Sequence, residues 1–238
     1  MLVGVIAFDL SVNVIDRWRM NKIQQRALEA AKIEQKLQEA RLELALHQIK
    51  PHFLQNALMS IKVLCRTRPK EAEQAVYDFA VFLRGNMNAL ESAEMILFRE
   101  ECKTIERYLH IEKMRFGERL QVQWDLQEEK FQIPPLTIQP LVENAVCHGI
   151  CQKMEGGTVQ IRSFRKNGEI CVQILDDGAG FDTEKLKDAD GIAIRNLKLR
   201  LKEFLNADLE IESRKGEGCR QTIHIPWEET EDENYSDR

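Results

Sequence analysis

The sequence predicts an α+β protein in which a helical N-terminal part is followed by a domain of alternating helices and strands. From about Ile15 to Leu64 the chain has no glycine and a single proline, which is typical of a long helix. Beyond Gly117 five stretches alternate apolar and polar residues with a period of two, which indicates half-buried strands. These stretches are LQVQWDL, TVQIRSF, ICVQILDD, LEIES and QTIHIP.

Length and composition restrict the class of protein. The 238 residues suit one large domain or two modest ones, and 43% hydrophobic with 31% charged residues is ordinary for a globular protein. The net charge of −5 gives no reason to expect a nucleic-acid partner. Six cysteines at irregular intervals do not form a disulfide scaffold, and they favour a reducing, intracellular compartment.

The first elements are a short apolar segment and a long helix. MLVGVIAFDL is too short to span a bilayer, since a span needs about 20 residues, and we interpret residues 1–15 as the remnant of an upstream sensor domain. Ile23, Ala30, Leu37 and Leu44 then recur every seven residues. This weak heptad predicts a parallel coiled coil between two copies of the chain. A single amphipathic helix packed on its own domain is the alternative.

A helical hairpin comes next. Pro69 suits the first position of a second helix, where its missing N–H costs nothing. Two such hairpins form a four-helix bundle, so residues 16–96 are predicted to be a dimerisation domain with a hinge near residues 92–97. A further helix is predicted from Phe98 to Phe116, and others at 136–150 and 192–206. Residues 97–228 form the second domain, and the acidic residues 229–238 a disordered tail.

Four clusters in the second domain suggest a shared site. LVENAVCHG places two polar side chains, Asn144 and His148, four residues apart on one helical face. DDGAGFD puts glycines where the chain turns after a strand, DGIAIRN opens a helix with glycine, and KGEGC precedes the last strand. Each cluster alone is weak evidence, because glycines after strands are usually turns. Their order and spacing together are rare by chance.

These clusters resemble the nucleotide-binding boxes of the ATPase superfamily that contains gyrase, Hsp90 and MutL. The chain thereby resembles sensor histidine kinases of the branch that includes the LytS and YehU-like enzymes, whose catalytic domain is a two-layer α/β sandwich that binds ATP. The resemblance implies that Asn144 coordinates Mg²⁺, that Asp176 accepts a hydrogen bond from adenine, and that Glu143 is a proton acceptor near the phosphates. Further nucleotide-binding residues implied in this way are His148, Gly178, Gly180, Gly191, Asn196, Gly216 and Gly218.

The stretch QIKPHFLQN is similar to the phosphoacceptor motif of the same branch, which makes His52 the nucleophile. A neutral imidazole carries a lone pair that can attack phosphorus. Gln48 and Asn56 lie four residues on either side of His52, where either could orient the ring. Pro51 predicts a bend that displays the histidine outward. RYLHIEKMRFGERL also resembles the segment that joins the two domains in this branch.

Three positions depart from the pattern of the family. Ala193 stands where the third box usually has a glycine, and Cys219 replaces a common threonine. Both are small, so ATP binding is expected to survive. Phe53 follows the phosphoacceptor, where many histidine kinases have an acidic residue, so a general base adjacent in sequence is missing.

The resemblance implies the cytoplasmic kinase core of a membrane-anchored bacterial receptor, with any membrane contact made only through upstream segments. The core would phosphorylate itself on His52 with ATP and Mg²⁺, act as a homodimer, and pass the phosphoryl group to an aspartate of a response regulator. The alternatives are an inactive nucleotide-binding platform and a protein-serine kinase of the anti-sigma type. Retention of His52 and Asn144 argues against the first, and the helical hairpin argues against the second.

The sequence around the other histidines gives less support for a functional role. Cys147, His148 and Cys151 could be imagined as a zinc site, but one short cluster supplies no convincing fourth ligand. His110 and His224 are predicted to be structural.

Overall fold

A computed structural model describes residues 22, 25, 28–29, 32–36, 51–91, 94–182 and 192–227. The chain divides into two compact units, residues 1–50 and residues 51–238. In the first unit the described residues are helical. Several predictions fall outside the described residues: the strand at 1–15, the tail at 229–238, and the roles of Ile23, Ala30, Leu37, Leu44, Gln48 and Gly191.

The second unit begins with three helices: α1 (Pro51–Thr67), α2 (Pro69–Glu91) and α3 (Phe98–Phe116). Pro69 opens α2, as predicted. The stripe of α1 that faces its neighbours repeats every three or four residues, as an amphipathic helix requires. Its members are Phe53, Ala57, Ile61 and Leu64. Gly117 ends α3, since its φ of 59° is unfavourable for most other residues.

A five-stranded sheet forms the second part of this unit. Its strands are β2 (Leu120–Leu126), β4 (Gly157–Lys166), β5 (Glu169–Asp176), β6 (Asp208–Arg214) and β7 (Gly218–Pro226), in the order β2-β4-β5-β7-β6. The pair β2 and β4 is parallel, and the other pairs are antiparallel. All five strands appear where the period-two pattern predicted them.

The helices cover one face of the sheet. Along β5 that face carries Ile170, Val172 and Ile174, each with 0% exposure, and ends at Asp176. The helical layer contains α4 (Gln139–Asn144), which continues as a π turn (Ala145–Gly149) and a 3₁₀ turn (Ile150–Gln152), and also α5 (Ile192–Leu205). The predicted α+β architecture with a two-layer sandwich is confirmed.

Two details differ from the sequence prediction. The helix predicted at 136–150 begins at Gln139 instead, because Leu136 has a φ of 58°, outside the helical region. The two-residue strands β1 (Ile96–Leu97) and β3 (Gln132–Ile133) were not predicted, since a pair so short shows no periodicity. Because Ile96 and Leu97 pair with β3, this end of the predicted hinge is bound to the second part of the unit. The division into domains at residue 96 stays a prediction.

Within the described part of the chain, no helix has both the length and the apolar character needed to cross a membrane.

Candidate functional site

His52 lies in the first turn of α1 and is exposed. The amide nitrogen of Asn56 lies 3.0 Å from His52 Nδ1 and 3.3 Å from Nε2. The side-chain amide therefore lies within hydrogen-bonding distance of the imidazole ring. This pair has the i,i+4 spacing that the sequence predicted. Gln48, the other predicted neighbour, lies outside the described residues.

The residue after the histidine anchors the helix. Phe53 is 6% exposed, and its ring centroid lies 5.3 Å from that of Phe82 and 5.2 Å from that of Tyr108. These tilted and edge-on contacts join α1, α2 and α3. The absence of an acidic residue at this position therefore has a structural reason, because the position is buried among aromatic rings.

Asp176 lies at the end of β5, on the face covered by helices. It is 7% exposed, and its Oδ1 accepts a hydrogen bond of 2.9 Å from the N–H of Gly178. Burial raises its pKa to about 6, although the N–H donors partly oppose this shift. The neighbouring Asp177 has a different role, since its carboxylate accepts from the N–H of Thr158 at 2.7 Å. The two carboxylates thus bind different segments, Asp176 the turn at Gly178 and Asp177 the start of β4.

Glycines permit close backbone approaches around Asp176. A Cβ on Gly178 would collide with the backbone of Gly149, and one on Gly218 would collide with the backbone of Asp176. A Cβ on Gly149 would collide with the Asp176 carboxylate. The sequence prediction explained Gly178 by the approach of a nucleotide, whereas here it is the protein backbone that comes close. Gly149 was missed as a site residue, although it directly follows the predicted His148.

Hydrogen bonds tie the second and fourth glycine clusters together. The N–H of Gly216 donates to the carbonyl of Ala179 at 2.7 Å, and the N–H of Phe181 donates to Ser213 Oγ at 3.0 Å. Gly180 approaches the carbonyl of Arg214. The segments DDGAGFD and KGEGC therefore form one continuous surface at the end of β5.

The helical run that carries Asn144 faces this surface. Glu143 and Asn144 end α4 and are half-buried, whereas His148 is exposed in the π turn. Glu143 Oε1 accepts a hydrogen bond of 2.9 Å from Gln139 Nε2. The π turn ends at Gly149, whose carbonyl accepts from the N–H of Ala179 at 3.2 Å. A π turn widens the helix locally, and such turns are frequent at functional sites.

Not every predicted residue joins the group. Asn196 is exposed on α5, and its assignment to the site stays a prediction. Gly191 lies outside the described residues. The structure thus brings together Asp176, Gly178, Gly180, Gly216 and Gly218, whereas Asn144 lies on the helical run that reaches this group through Gly149.

One cluster of metal-ligand types lies on the other face of the sheet. Glu169, Cys171 and His224 have ligand atoms within 4.8 Å of one another. His224 Nδ1 is 3.0 Å from Glu169, and its Nε2 is 3.6 Å from Glu210. Burial raises the pKa of Cys171, which favours the thiol over the thiolate that binds metal. We interpret the cluster as a hydrogen-bonded group, and the structural role of His224 stays a prediction.

The chain matches known families over both parts of this arrangement. Residues 40–120 match the family described as Histidine kinase, and residues 135–229 match the Histidine kinase-, DNA gyrase B-, and HSP90-like ATPase family. The chain is 36% identical over 203 residues to the protein YwpD of Bacillus subtilis (strain 168), covering 81% of this chain and 73% of that protein. The chain belongs to the histidine kinases.

Two further relatives support the branch. The chain is 33% identical over 195 residues to "Sensor histidine kinase BtsS" of Escherichia coli (strain K12), covering 80% of this chain and 34% of BtsS. It is 30% identical over 224 residues to "Sensor protein LytS" of Bacillus anthracis, covering 88% of this chain and 38% of that protein. The predicted resemblance to the LytS-like histidine kinases is confirmed. The chain spans only 34% and 38% of these two sensors.

The matched families locate the two halves of a histidine kinase core. The histidine kinase match covers α1, α2 and α3, and the ATPase match covers α4 and the strands β4 to β7. ATP binding follows from membership in the ATPase family.

Proposed function

We propose that this histidine kinase core transfers the terminal phosphoryl group of ATP to His52 and then to an aspartate in the receiver domain of a response regulator. The observation that carries the proposal is the exposure of the His52 ring on a helix whose next residue, Phe53, is firmly buried. A nucleophile in this position can reach a phosphate held by another part of the protein. The bulk of α1 does not need to move or unfold.

The residues around Asp176 fit a nucleotide. A buried carboxylate at a strand end can accept a hydrogen bond from the adenine amino group, and burial makes such a bond more selective. The amide oxygen of Asn144 is a hard ligand of the kind that Mg²⁺ prefers. The metal, held by Asn144, would supply charge neutralisation for the phosphates. Gly216 lies in the turn before β7 and Gly218 begins β7, and both would line the phosphate side.

The chemical step needs little from the protein beyond alignment. The lone pair of one His52 ring nitrogen forms the N–P bond while the bond from phosphorus to the leaving ADP oxygen breaks. The other ring nitrogen then releases its proton. Because the ring is exposed, water can accept this proton, and Asn56 serves to orient the imidazole. Glu143 is the second candidate for proton acceptor.

A dimer is part of the proposal. Large apolar side chains are exposed along the hairpin, where two copies would form a four-helix bundle. They are Leu58, Met59, Val63, Val76 and Tyr77. Ile33, which lies on the seam of the predicted coiled coil, is 67% exposed and could pack against a second copy. Upstream segments would anchor the kinase to a membrane.

Labelled ATP tests the activity. With Mg²⁺ and γ-labelled ATP, the protein should acquire label that is acid-labile and base-stable, and the His52→Ala variant should acquire none. Purified receiver domains should then remove the label. Acid-stable label would instead support a serine kinase, and nucleotide binding without any label would support an inactive platform.

A second variant separates metal use from folding. Asn144→Ala should lower labelling by about 100-fold, since loss of groups in a metal site typically costs 10- to 100-fold or more. Its thermal unfolding midpoint should stay close to that of the wild type. Unchanged labelling would exclude Asn144 as a metal ligand.

A further inference from the structure

A buried carboxylate links α3 to the start of the helix that carries Asn144. Glu101 is 2% exposed, and its Oε1 accepts hydrogen bonds from the backbone N–H groups of Ile138, at 2.6 Å, and Gln139, at 3.0 Å. These are N–H groups at the start of α4, which have no partners within the helix. A carboxylate bound in this way both caps the helix and fixes its position relative to α3.

Arg200 on α5 completes the link. Its guanidinium donates to the carbonyl of Leu136, just before α4, and its positive charge acts on Glu101. Burial raises the pKa of Glu101 to about 7, although the two N–H donors and Arg200 lower it. Burial of a carboxylate costs free energy unless the group is hydrogen-bonded or paired. Three helices of the catalytic part therefore meet at one carboxylate.

The same face of α3 also contacts the phosphoacceptor helix. Tyr108 lies seven residues after Glu101, which is two helical turns, so both side chains project from one face. The Tyr108 ring packs against Phe53, and its hydroxyl lies 3.9 Å from Cys147 Sγ in the π turn. One face of α3 thus touches the helix of His52 and the helical run that contains Asn144 at two places, one before and one after Asn144.

We propose that Glu101 is a positioning residue that holds Asn144 in place for Mg²⁺-dependent nucleotide binding and couples this site to α3. The inference rests on the proposed function, because it assigns Asn144 to the metal. A cap that served folding alone would lower stability when removed, but it would leave the Mg²⁺ dependence of binding unchanged.

The test measures ATP affinity with Mg²⁺ and with EDTA, using intact protein. Glu101→Ala should weaken binding in Mg²⁺ by about fivefold, as expected for loss of a helix cap worth about 1 kcal/mol. Binding in EDTA should change by less than about twofold, since Asp176 still holds the adenine. Glu101→Gln keeps an acceptor oxygen and should restore most of the affinity. Glu100→Gln, an exposed neighbour paired with Lys103, is the matched control and should behave as wild type.

The possible outcomes distinguish failure of the positioning role of Glu101 from failure of the proposed function. Equal loss in Mg²⁺ and EDTA, or no loss, would overturn the positioning role. If Glu101→Ala does not fold, Glu101→Asp decides, because the shorter side chain keeps the charge but withdraws the oxygen from Ile138 and Gln139. We expect an Mg²⁺-specific loss there too, and wild-type behaviour would overturn the role. If the wild-type protein itself binds no Mg²⁺-ATP, the proposed function fails instead.

Discussion

His52 and Asp176, the two residues expected to meet opposite ends of ATP, lie in contrasting surroundings. The His52 ring is exposed and has an amide beside it, whereas Asp176 is buried among backbone groups that approach as closely as glycine allows. The contrast indicates a division of labour. Under the proposed function, the adenine side would be built in advance, and the nucleophile would be left accessible so that it can reach the phosphate.

The largest expected effect comes from removal of the buried Phe53 ring, which anchors the helix that carries the exposed His52. Phe53→Ala should destabilise the protein by about 3 kcal/mol, because a buried aromatic ring is replaced by a cavity. Urea unfolding measures this change. Gln55→Ala, an exposed position on the same helix, should stay within about 0.5 kcal/mol of the wild type. A similar small loss for both variants would mean that Phe53 does not anchor α1.

The next largest effect comes from disruption of the close backbone packing around Asp176. Gly218→Ala and Gly168→Ala both place a side chain at a positive φ, 88° and 77°, which costs about 1–2 kcal/mol in each case. Only at Gly218 does the new Cβ also collide with a backbone, while at Gly168 it meets open space. Gly218→Ala should therefore lose about 1–3 kcal/mol more in thermal unfolding, and nucleotide affinity should fall with it. Equal losses would show that the close approach is unimportant.

A smaller effect comes from the titration of Asp176. Its pKa of about 6 means that the carboxyl becomes protonated, and loses its acceptor charge, as the pH falls through 6. ATP affinity should thus drop by about tenfold between about pH 7.5 and pH 5. Asp176→Asn should remove this component, so the difference between the two pH profiles is the measurement. Profiles of the same slope would contradict the assignment of Asp176.

The unliganded fold should respond to pH in the opposite direction. The folded-state pKa of Asp176 lies above its ordinary value of 3.8, so the folded protein binds the proton more tightly than the unfolded chain. Stability contributed by this group is therefore present at low pH and declines as the pH rises from about 4 to about 6.

The smallest effect concerns the orientation of His52. Asn56→Ala removes a side chain at the surface, so stability should change by less than about 0.5 kcal/mol. The rate of labelling by ATP should fall by about threefold, since a single hydrogen bond no longer restricts the ring. The control is Gln55→Ala, for which both quantities should be unchanged. A rate equal to the wild type would remove Asn56 from the mechanism.

Local patterns predicted much of the fold. The helix Phe98–Phe116 has the predicted bounds, and the five long strands lie at the period-two stretches. The two strands that the sequence did not predict, β1 and β3, depend on contacts between residues that are distant in sequence. The pairing of β1 with β3 joins residues about 35 positions apart, and it leaves no local periodicity.

Prediction of the site from the sequence was limited in the same way. The order of the motifs led to the prediction of Asn144 and Asp176, but a glycine in a sequence does not reveal what approaches it. The partner of Gly178 is Gly149, which is distant in sequence and adjacent in space. Glu101 reads as one of several acidic residues on a charged helix, and only tertiary packing distinguishes it from the exposed Glu100.

The most direct test is to locate the phosphoryl group among the five histidines of the chain. Protein labelled with Mg²⁺-ATP would be digested at neutral pH and sequenced by mass spectrometry. The phosphoryl group should lie on His52 alone, on the peptide that also contains Phe53 and Asn56. Modification of His47, His110, His148 or His224 in place of His52 would contradict the proposal.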